Sequence, residues 1–154
     1  MYTPIIELAE RLHGILQYNR DAEKSFAFAS KKCYSNELAV YFEGMSRQRK
    51  YFAEELKLTI DSLGHNFKSL EHSTNNKSIS KHHENKIADK DEVMLQESIL
   101  REKAVVKEYE SLLTDFIMPK PTAITLRNQM LKIETNLALI KSLSDLKKKM
   151  LESL

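Results

Sequence analysis

Apolar residues recur every three or four positions along four long segments of the chain, which is the spacing of one face of an α helix. Short turns separate the first segment from the second and the third from the fourth. The pattern predicts four helices, near residues 4–33, 36–63, 91–117 and 123–151. Residues 65–90 are polar and predict a long connection. Such a connection can return along the bundle, so that the third helix starts parallel to the second.

The apolar residues of each segment form a stripe along one face of the predicted helix. Two of these stripes carry a charged residue where an apolar one is expected. Arg49 interrupts the second stripe, and Glu102 interrupts the third. The apolar members of the two stripes are Leu38, Phe42, Met45, Phe52, Leu56 and Leu63, and Leu95, Ile99, Val106, Leu113 and Phe116. Both charges are therefore predicted to point inwards. A buried charge has to be paired or ligated, because an isolated charge in a medium of low dielectric constant is strongly destabilising.

The short turns indicate which polar residues lie level with the two inward charges. A turn near residue 35 makes the first two helices antiparallel and places Asn19 and Glu23 near the middle of the second helix. A turn near residue 120 places Glu134 close to the level of Glu102, and Tyr109 lies about two turns further along the third helix. The predicted central polar layer consists of Asn19, Glu23, Arg49, Glu102, Tyr109 and Glu134.

Composition and charge agree with a single all-helical domain over residues 1–154. Three Gly, three Pro and no Trp occur, and the alternation typical of strands is absent. The formal net charge is +2 with both signs interspersed, so neither nucleic acid nor a membrane surface is predicted as a partner. No apolar run approaches the ~20 residues of a membrane span, and the amino terminus lacks signal-peptide features. The single cysteine, Cys33, ends the first stripe as a predicted buried residue and excludes an intramolecular disulfide. Together these features predict a cytoplasmic protein.

Residues 21–26, 47–56 and 101–109 resemble a bacterial family of about this length, described as a ferritin-like domain of unknown function. The four stripes, the long second connection and the inward carboxylates are also similar to the ferritin-like superfamily. The resemblance implies an all-α, left-handed, ferritin-like four-helix bundle with a long crossover between helices two and three.

Di-iron members of this superfamily use one Glu from each of two helices and a Glu-x-x-His from each of the other two. The resemblance would place Glu23 and Glu102 at the single-Glu positions and Glu134 in the paired motif, where Leu137 replaces the histidine. The second helix has Arg49 at this level and no histidine. Because arginine stays protonated and competes with a dication for carboxylates, the sequence favours an ion-paired centre without a metal cofactor. The alternatives are iron or another divalent metal bound by Glu23, Glu102 and Glu134, and a helix rotation that leaves these groups at the surface.

The histidines add no ligands to this centre. His13 lies beside the first stripe and is predicted to be a boundary or surface residue. His65, His72, His82 and His83 lie in the long connection. The sequence has neither a Gly-rich phosphate loop nor a nucleophile motif.

Three functions remain open. The favoured one is a non-enzymatic bundle with a binding or assembly role, connected to stress physiology by analogy with the superfamily. The second is a di-metal carboxylate protein that oxidises or stores iron, with Tyr109 as a nearby phenol, and the third is a helical adaptor that presents its connection to a protein partner. A homodimer is predicted because outward apolar residues add surface beyond the core stripes. These residues are Phe28, Tyr41, Tyr51 and Leu58.

Overall fold

The computed structural model of the protein describes residues 4–64 and 90–153. Within these ranges the chain forms four α helices and no β strand, which confirms the all-α class and the four-helix bundle. The helices are α1 (Pro4–Lys32), α2 (Asn36–Ser62), α3 (Lys90–Asp115) and α4 (Lys120–Glu152). Apart from Lys90, the predicted connection lies outside the described residues.

The first three helices start within one residue of the predicted positions, whereas α4 starts earlier. Ser35 caps α2, because its hydroxyl accepts a hydrogen bond from the backbone N–H of Leu38 at 3.2 Å. Gly64, with a φ of 84°, follows that helix. Helix α4 begins at Lys120, three residues before the predicted start, and Thr122 is buried inside its first turn. Pro121 lies in this first turn, where a backbone N–H would have no partner within the helix. The missing N–H of proline therefore costs nothing there, and the helix can start before it.

Contacts at the turn between α1 and α2 define the directions of the helices. Asp91, at the start of α3, accepts hydrogen bonds from the backbone N–H groups of Tyr34 and Ser35. Lys147, near the end of α4, forms an ion pair with Asp91 at 3.4 Å. Helices α2 and α3 therefore run parallel to each other, and α1 and α4 run antiparallel to them. The end of α2 and the start of α3 lie at opposite ends of a bundle ~40 Å long, while the crossover itself stays a prediction.

Among the described residues, the apolar interior forms two clusters, one on either side of the central charges. One cluster includes Leu12, Leu16, Phe52, Leu56, Tyr109, Leu112 and Ile133. The other, nearer the α1–α2 turn, includes Phe26, Phe42, Met45, Leu95, Ile99 and Ile140. Burying one such side chain contributes about 1.5–3 kcal/mol. The two clusters therefore stabilise the bundle at both ends of the layer where the charged residues meet.

Burial differs from the predicted stripes at several positions. Ile5 at the start of α1 and Leu146 and Met150 near the end of α4 continue the three- and four-residue spacing of the first and fourth segments but are exposed. Cys33, predicted to be buried, is only half buried. His13 is fully buried, so its predicted surface position is wrong. Because α1 packs against both α2 and α3, its buried face is wider than the single stripe from which the prediction was made.

Candidate functional site

A salt bridge between Arg49 on α2 and Glu102 on α3 lies at the centre of the bundle. Nη2 of Arg49 donates a hydrogen bond to Oε2 of Glu102, and both side chains are fully buried. The prediction that both charges point inwards is confirmed. Each charge offsets the desolvation cost of the other, so neither can be removed without leaving an uncompensated buried ion.

A second arginine, missed in the sequence analysis, lies beside this pair. Nε of Arg101 is 3.7 Å from Oε1 of Glu102, and its side chain is largely buried. Cζ of Arg101 lies 4.6 Å from the ring centroid of Phe26, and Cζ of Arg49 lies 5.8 Å from the same centroid. The electron-rich face of the ring stabilises cations at this range. The spacing of four residues between Arg101 and the buried Val105 was a signal that could have placed Arg101 at the edge of the core.

Arg49, Arg101 and Glu102, here called the ion cluster, hold two positive charges and one negative charge. Burial lowers the pKa of Arg101, and the charge of Glu102 opposes this shift. Within residues 4–64 and 90–153, Nε and Nη1 of Arg49 and Oε1 of Glu102 have no hydrogen-bond partner. The charges of Glu97 and Asp21 also act on Arg101, but within the cluster itself two cations compete for the single carboxylate of Glu102.

A chain of hydrogen bonds next to the ion cluster joins all four helices. Nδ2 of Asn19 on α1 donates to the hydroxyl of Tyr109 on α3 at 2.9 Å, and that hydroxyl donates to Oε1 of Gln129 on α4 at 2.7 Å. Nε2 of Gln129 donates to the backbone carbonyl of Phe52 and to Oε1 of Glu55, both on α2, at 3.3 and 3.1 Å. Asn19, Tyr109 and Gln129 are buried. The hydrogen-bond chain therefore satisfies most of their polar atoms, and Oδ1 of Asn19 has no hydrogen-bond partner among the described residues.

The two tyrosines near the centre are held in the neutral form. Burial is the main reason that the pKa of Tyr109 lies well above its ordinary value of 10, although the hydrogen bond from Asn19 opposes the shift. Burial and, to a lesser extent, the charge of Glu102 raise the pKa of Tyr41 to about 12. Tyr41 donates to the backbone carbonyl of Asn136 at 3.3 Å. Its predicted outward position therefore has to be corrected, because it bridges α2 and α4.

Two carboxylates predicted for the central layer do not join it. Glu134 is exposed on α4, so its predicted place in the layer is wrong. The preceding residue, Ile133, is fully buried. Because successive residues of a helix point about 100° apart, Glu134 points away from the core. Glu23 is half buried on α1, and its carboxylate has no hydrogen bond or ion pair to any residue in the described ranges. Its backbone carbonyl accepts a hydrogen bond from Ser46 at 2.9 Å, which links α1 to α2.

These positions do not fit a di-metal centre. Of the three carboxylates that the resemblance suggested as ligands, only Glu102 lies at the centre, and it is engaged by Arg49 and Arg101. In the part of the chain that the structure describes, no group of three or more His, Cys, Asp or Glu side chains is placed to hold a metal ion. A divalent ion needs several oxygen or nitrogen ligands, whereas this donor set offers one carboxylate between two guanidinium groups.

A second polar cluster closes the bundle at the α1–α2 turn. The carboxylate of Asp91 is buried and accepts hydrogen bonds from the backbone N–H groups of Tyr34 at 2.7 Å and Ser35 at 3.0 Å. Burial and the charge of Asp91 raise the pKa of the neighbouring Cys33 thiol. Because the thiolate is the reactive form, this environment disfavours Cys33 as a nucleophile. Through these hydrogen bonds, Asp91 connects the start of α3 to the turn between α1 and α2.

A known protein family matches most of the chain. The family model of a domain of unknown function (DUF2383) matches residues 7–115, which is more than half of the chain. This region includes Arg49, Glu102 and Tyr109, whereas Gln129 lies beyond it. The curated proteins contain no match to the chain. Among the described helices, none combines the length and apolar character needed to cross a membrane.

Proposed function

We propose that this chain, which belongs to the DUF2383 family, is a non-enzymatic ferritin-like bundle in which an ion pair stabilises the centre where related bundles bind metal. The buried salt bridge between Arg49 and Glu102 is the observation that carries this proposal. Its role is binding or assembly as a homodimer in the cytoplasm, and a connection to stress physiology rests on analogy with the superfamily alone.

The helix directions support the ferritin-like part of the proposal. Parallel α2 and α3, with α1 and α4 antiparallel to them, are the directions that a bundle with one long crossover requires. The left-handed twist of the bundle and the long crossover over residues 65–90 belong to the same proposal.

The chemistry of the central layer supports the absence of a metal-dependent reaction. A guanidinium group stays charged at every physiological pH and holds a carboxylate through directional hydrogen bonds. In the proposed centre, Arg49 performs the charge-balancing role that a metal ion has in a di-iron bundle. Arg101 adds a second cation, so iron would have to displace two positive groups from Glu102.

Metal analysis of protein purified without a histidine tag tests this proposal. The protein is incubated with Fe(II), desalted and measured for bound iron and for the rate of Fe(II) oxidation. We expect no stoichiometric iron and no acceleration over the protein-free rate. Glu102→Gln removes the central carboxylate, and Glu134→Gln removes an exposed one as the matched control. Uptake of two irons per chain with rapid oxidation, lost in Glu102→Gln and kept in Glu134→Gln, would replace the proposal with the di-metal alternative.

A further inference from the structure

Helix α4 carries a second row of apolar residues on the side that faces away from the core. The row consists of Ile124, Leu131, Leu139 and Leu146, which are 46%, 58%, 46% and 56% exposed. The core side of the same helix is formed by Leu126, Ile133 and Ile140, which are fully buried. At about 100° per residue, the two rows lie on opposite sides of the helix. One apolar face is sufficient for a helix in a bundle, so the outer row requires a separate explanation.

The outer row is symmetric about Thr135. Polar residues complete it, and its positions are 124, 128, 131, 135, 139, 142 and 146. The pairs equidistant from Thr135 are Leu131 with Leu139, Asn128 with Ser142, and Ile124 with Leu146. A two-fold axis between identical antiparallel helices juxtaposes residues that are equidistant from it. An axis at Thr135 would therefore place apolar residues opposite apolar ones and polar residues opposite polar ones.

We propose that two copies of this chain associate through the outer rows of their α4 helices, antiparallel, with Thr135 on the two-fold axis. This inference rests on the assembly role in the proposed function and assigns a surface to it. The contact would extend over about 33 Å of helix. The hydroxyl of Thr135 donates to the backbone carbonyl of Leu131 at 2.9 Å, so it needs no new partner when the surface is covered.

Charged residues beside the row are complementary in this arrangement. Arg127 and Asp145 are exposed, and neither forms an ion pair with a described residue of its own chain. They are separated by five helical turns and therefore point in the same direction. The axis at Thr135 would bring Arg127 of one copy within roughly 3 Å, measured along the helix, of the level of Asp145 of the second copy. Lys141 lies farther round the helix, away from the row.

The oligomeric state of matched variants tests the surface. Sedimentation velocity is measured on the full chain for the wild type, Leu131→Glu and Leu58→Glu. Leu58 is an exposed leucine on α2 and belongs to the surface predicted from sequence. We expect a dimer for the wild type and for Leu58→Glu. Leu131→Glu should weaken dimerisation by about 100-fold or more, because it places a carboxylate against Leu139 of the second copy. Circular dichroism establishes that each variant is folded.

A charge exchange and a cross-link test the direction and the axis. Arg127→Asp should weaken the dimer, and the double variant Arg127→Asp with Asp145→Arg should restore it. Thr135→Cys, in a Cys33→Ser background, should form an intermolecular disulfide on oxidation, because each copy contributes the same residue at the axis.

The results of these experiments distinguish a wrong α4 surface from a wrong assembly role. A monomeric wild type would overturn both the proposed surface and homodimeric assembly. A dimer that survives Leu131→Glu and dissociates in Leu58→Glu would keep the assembly role and overturn the α4 surface. A dimer without a Thr135→Cys cross-link would overturn the two-fold placement.

Discussion

The hydroxyl of Tyr109 on α3 and the side-chain amide of Gln129 on α4 meet inside the bundle at 2.7 Å. Asn19 donates to the same hydroxyl from α1, so the phenol acts as donor and acceptor at once. The hydroxyl of Tyr109 therefore uses both its donor and its acceptor capacity in a part of the bundle that is closed to solvent. The hydrogen-bond chain is therefore sensitive to the loss of one oxygen atom.

Removing this oxygen should destabilise the protein. Tyr109→Phe leaves the buried Oε1 of Gln129 without its donor, at a cost of about 1–3 kcal/mol in the free energy of unfolding, whereas Nδ2 of Asn19 keeps its hydrogen bond to the backbone carbonyl of Ile15. Urea denaturation followed by circular dichroism measures this difference. Tyr51→Phe, at an exposed tyrosine, is the control and should leave stability within about 0.5 kcal/mol of the wild type. Equal stability of the two variants would contradict the role of the hydrogen-bond chain.

The same phenol should make stability depend on alkaline pH. In the unfolded chain the phenol titrates near its ordinary pKa of 10, whereas burial raises the pKa of Tyr109 in the folded protein. As the pH rises above 10, the unfolded state loses a proton that the folded state keeps, so the free energy of unfolding falls. Tyr109→Phe should show a shallower fall than the wild type in urea denaturation between pH 9 and 11. Parallel pH profiles would contradict the buried environment of the phenol.

Breaking the central salt bridge should be more severe than breaking a surface one. Arg49→Leu leaves Glu102 buried without its closest partner and should reduce the free energy of unfolding by about 3–5 kcal/mol. Arg47→Leu removes an exposed ion pair with Glu43 from the same helix and should cost at most about 0.5 kcal/mol. The double variant Arg49→Leu with Glu102→Leu should recover much of the loss, because no buried charge of the pair remains. Wild-type stability of Arg49→Leu would contradict the burial of this side chain.

Asp91 should control local opening of the α1–α2 turn. Asp91→Ala removes the acceptor of two backbone hydrogen bonds, and hydrogen bonds to charged groups contribute about 1.5–3 kcal/mol each. We expect the amides of Tyr34 and Ser35 to exchange with solvent much faster in this variant. Hydrogen exchange followed by NMR measures the effect, with Asp61→Ala at an exposed carboxylate of α2 as the control. Unchanged protection of both amides would show that other contacts hold the turn.

The sequence predicted the helices and the direction of the two central charges because both follow from local periodicity. Arg49 and Glu102 each have an apolar neighbour three or four residues away on both sides, so the helical geometry determines where they point. The predicted starts of α1, α2 and α3 also depend on local signals, of which the Ser35 cap is one.

The partners of Tyr109 and Glu102 among the other residues of the bundle were harder to predict, because they depend on how each helix is rotated about its own axis. Gln129 looks like an ordinary surface residue in the sequence, and only the packing of α4 shows that it is buried. The spacing to Val105 indicates that Arg101 lies at the edge of the core, but its position beside Glu102 and Phe26 depends on how α3 packs against α1. The level of Glu134 along α4 predicts that it lies near Glu102, but the level of a residue does not specify on which side of the helix it points. His13 was misplaced for a related reason, since two neighbouring helices widen the buried face of α1.

The central salt bridge also specifies how the two halves of the bundle align. Arg49 belongs to the α1–α2 hairpin, and Glu102 belongs to the α3–α4 hairpin. If one hairpin slipped along the other by a helical turn of about 5.4 Å, many apolar contacts could form again with new neighbours. Arg49 and Glu102 would then be buried apart, and such unpaired charges are strongly destabilising. The ion pair therefore penalises shifted alignments and selects one register from several that hydrophobic packing alone would allow.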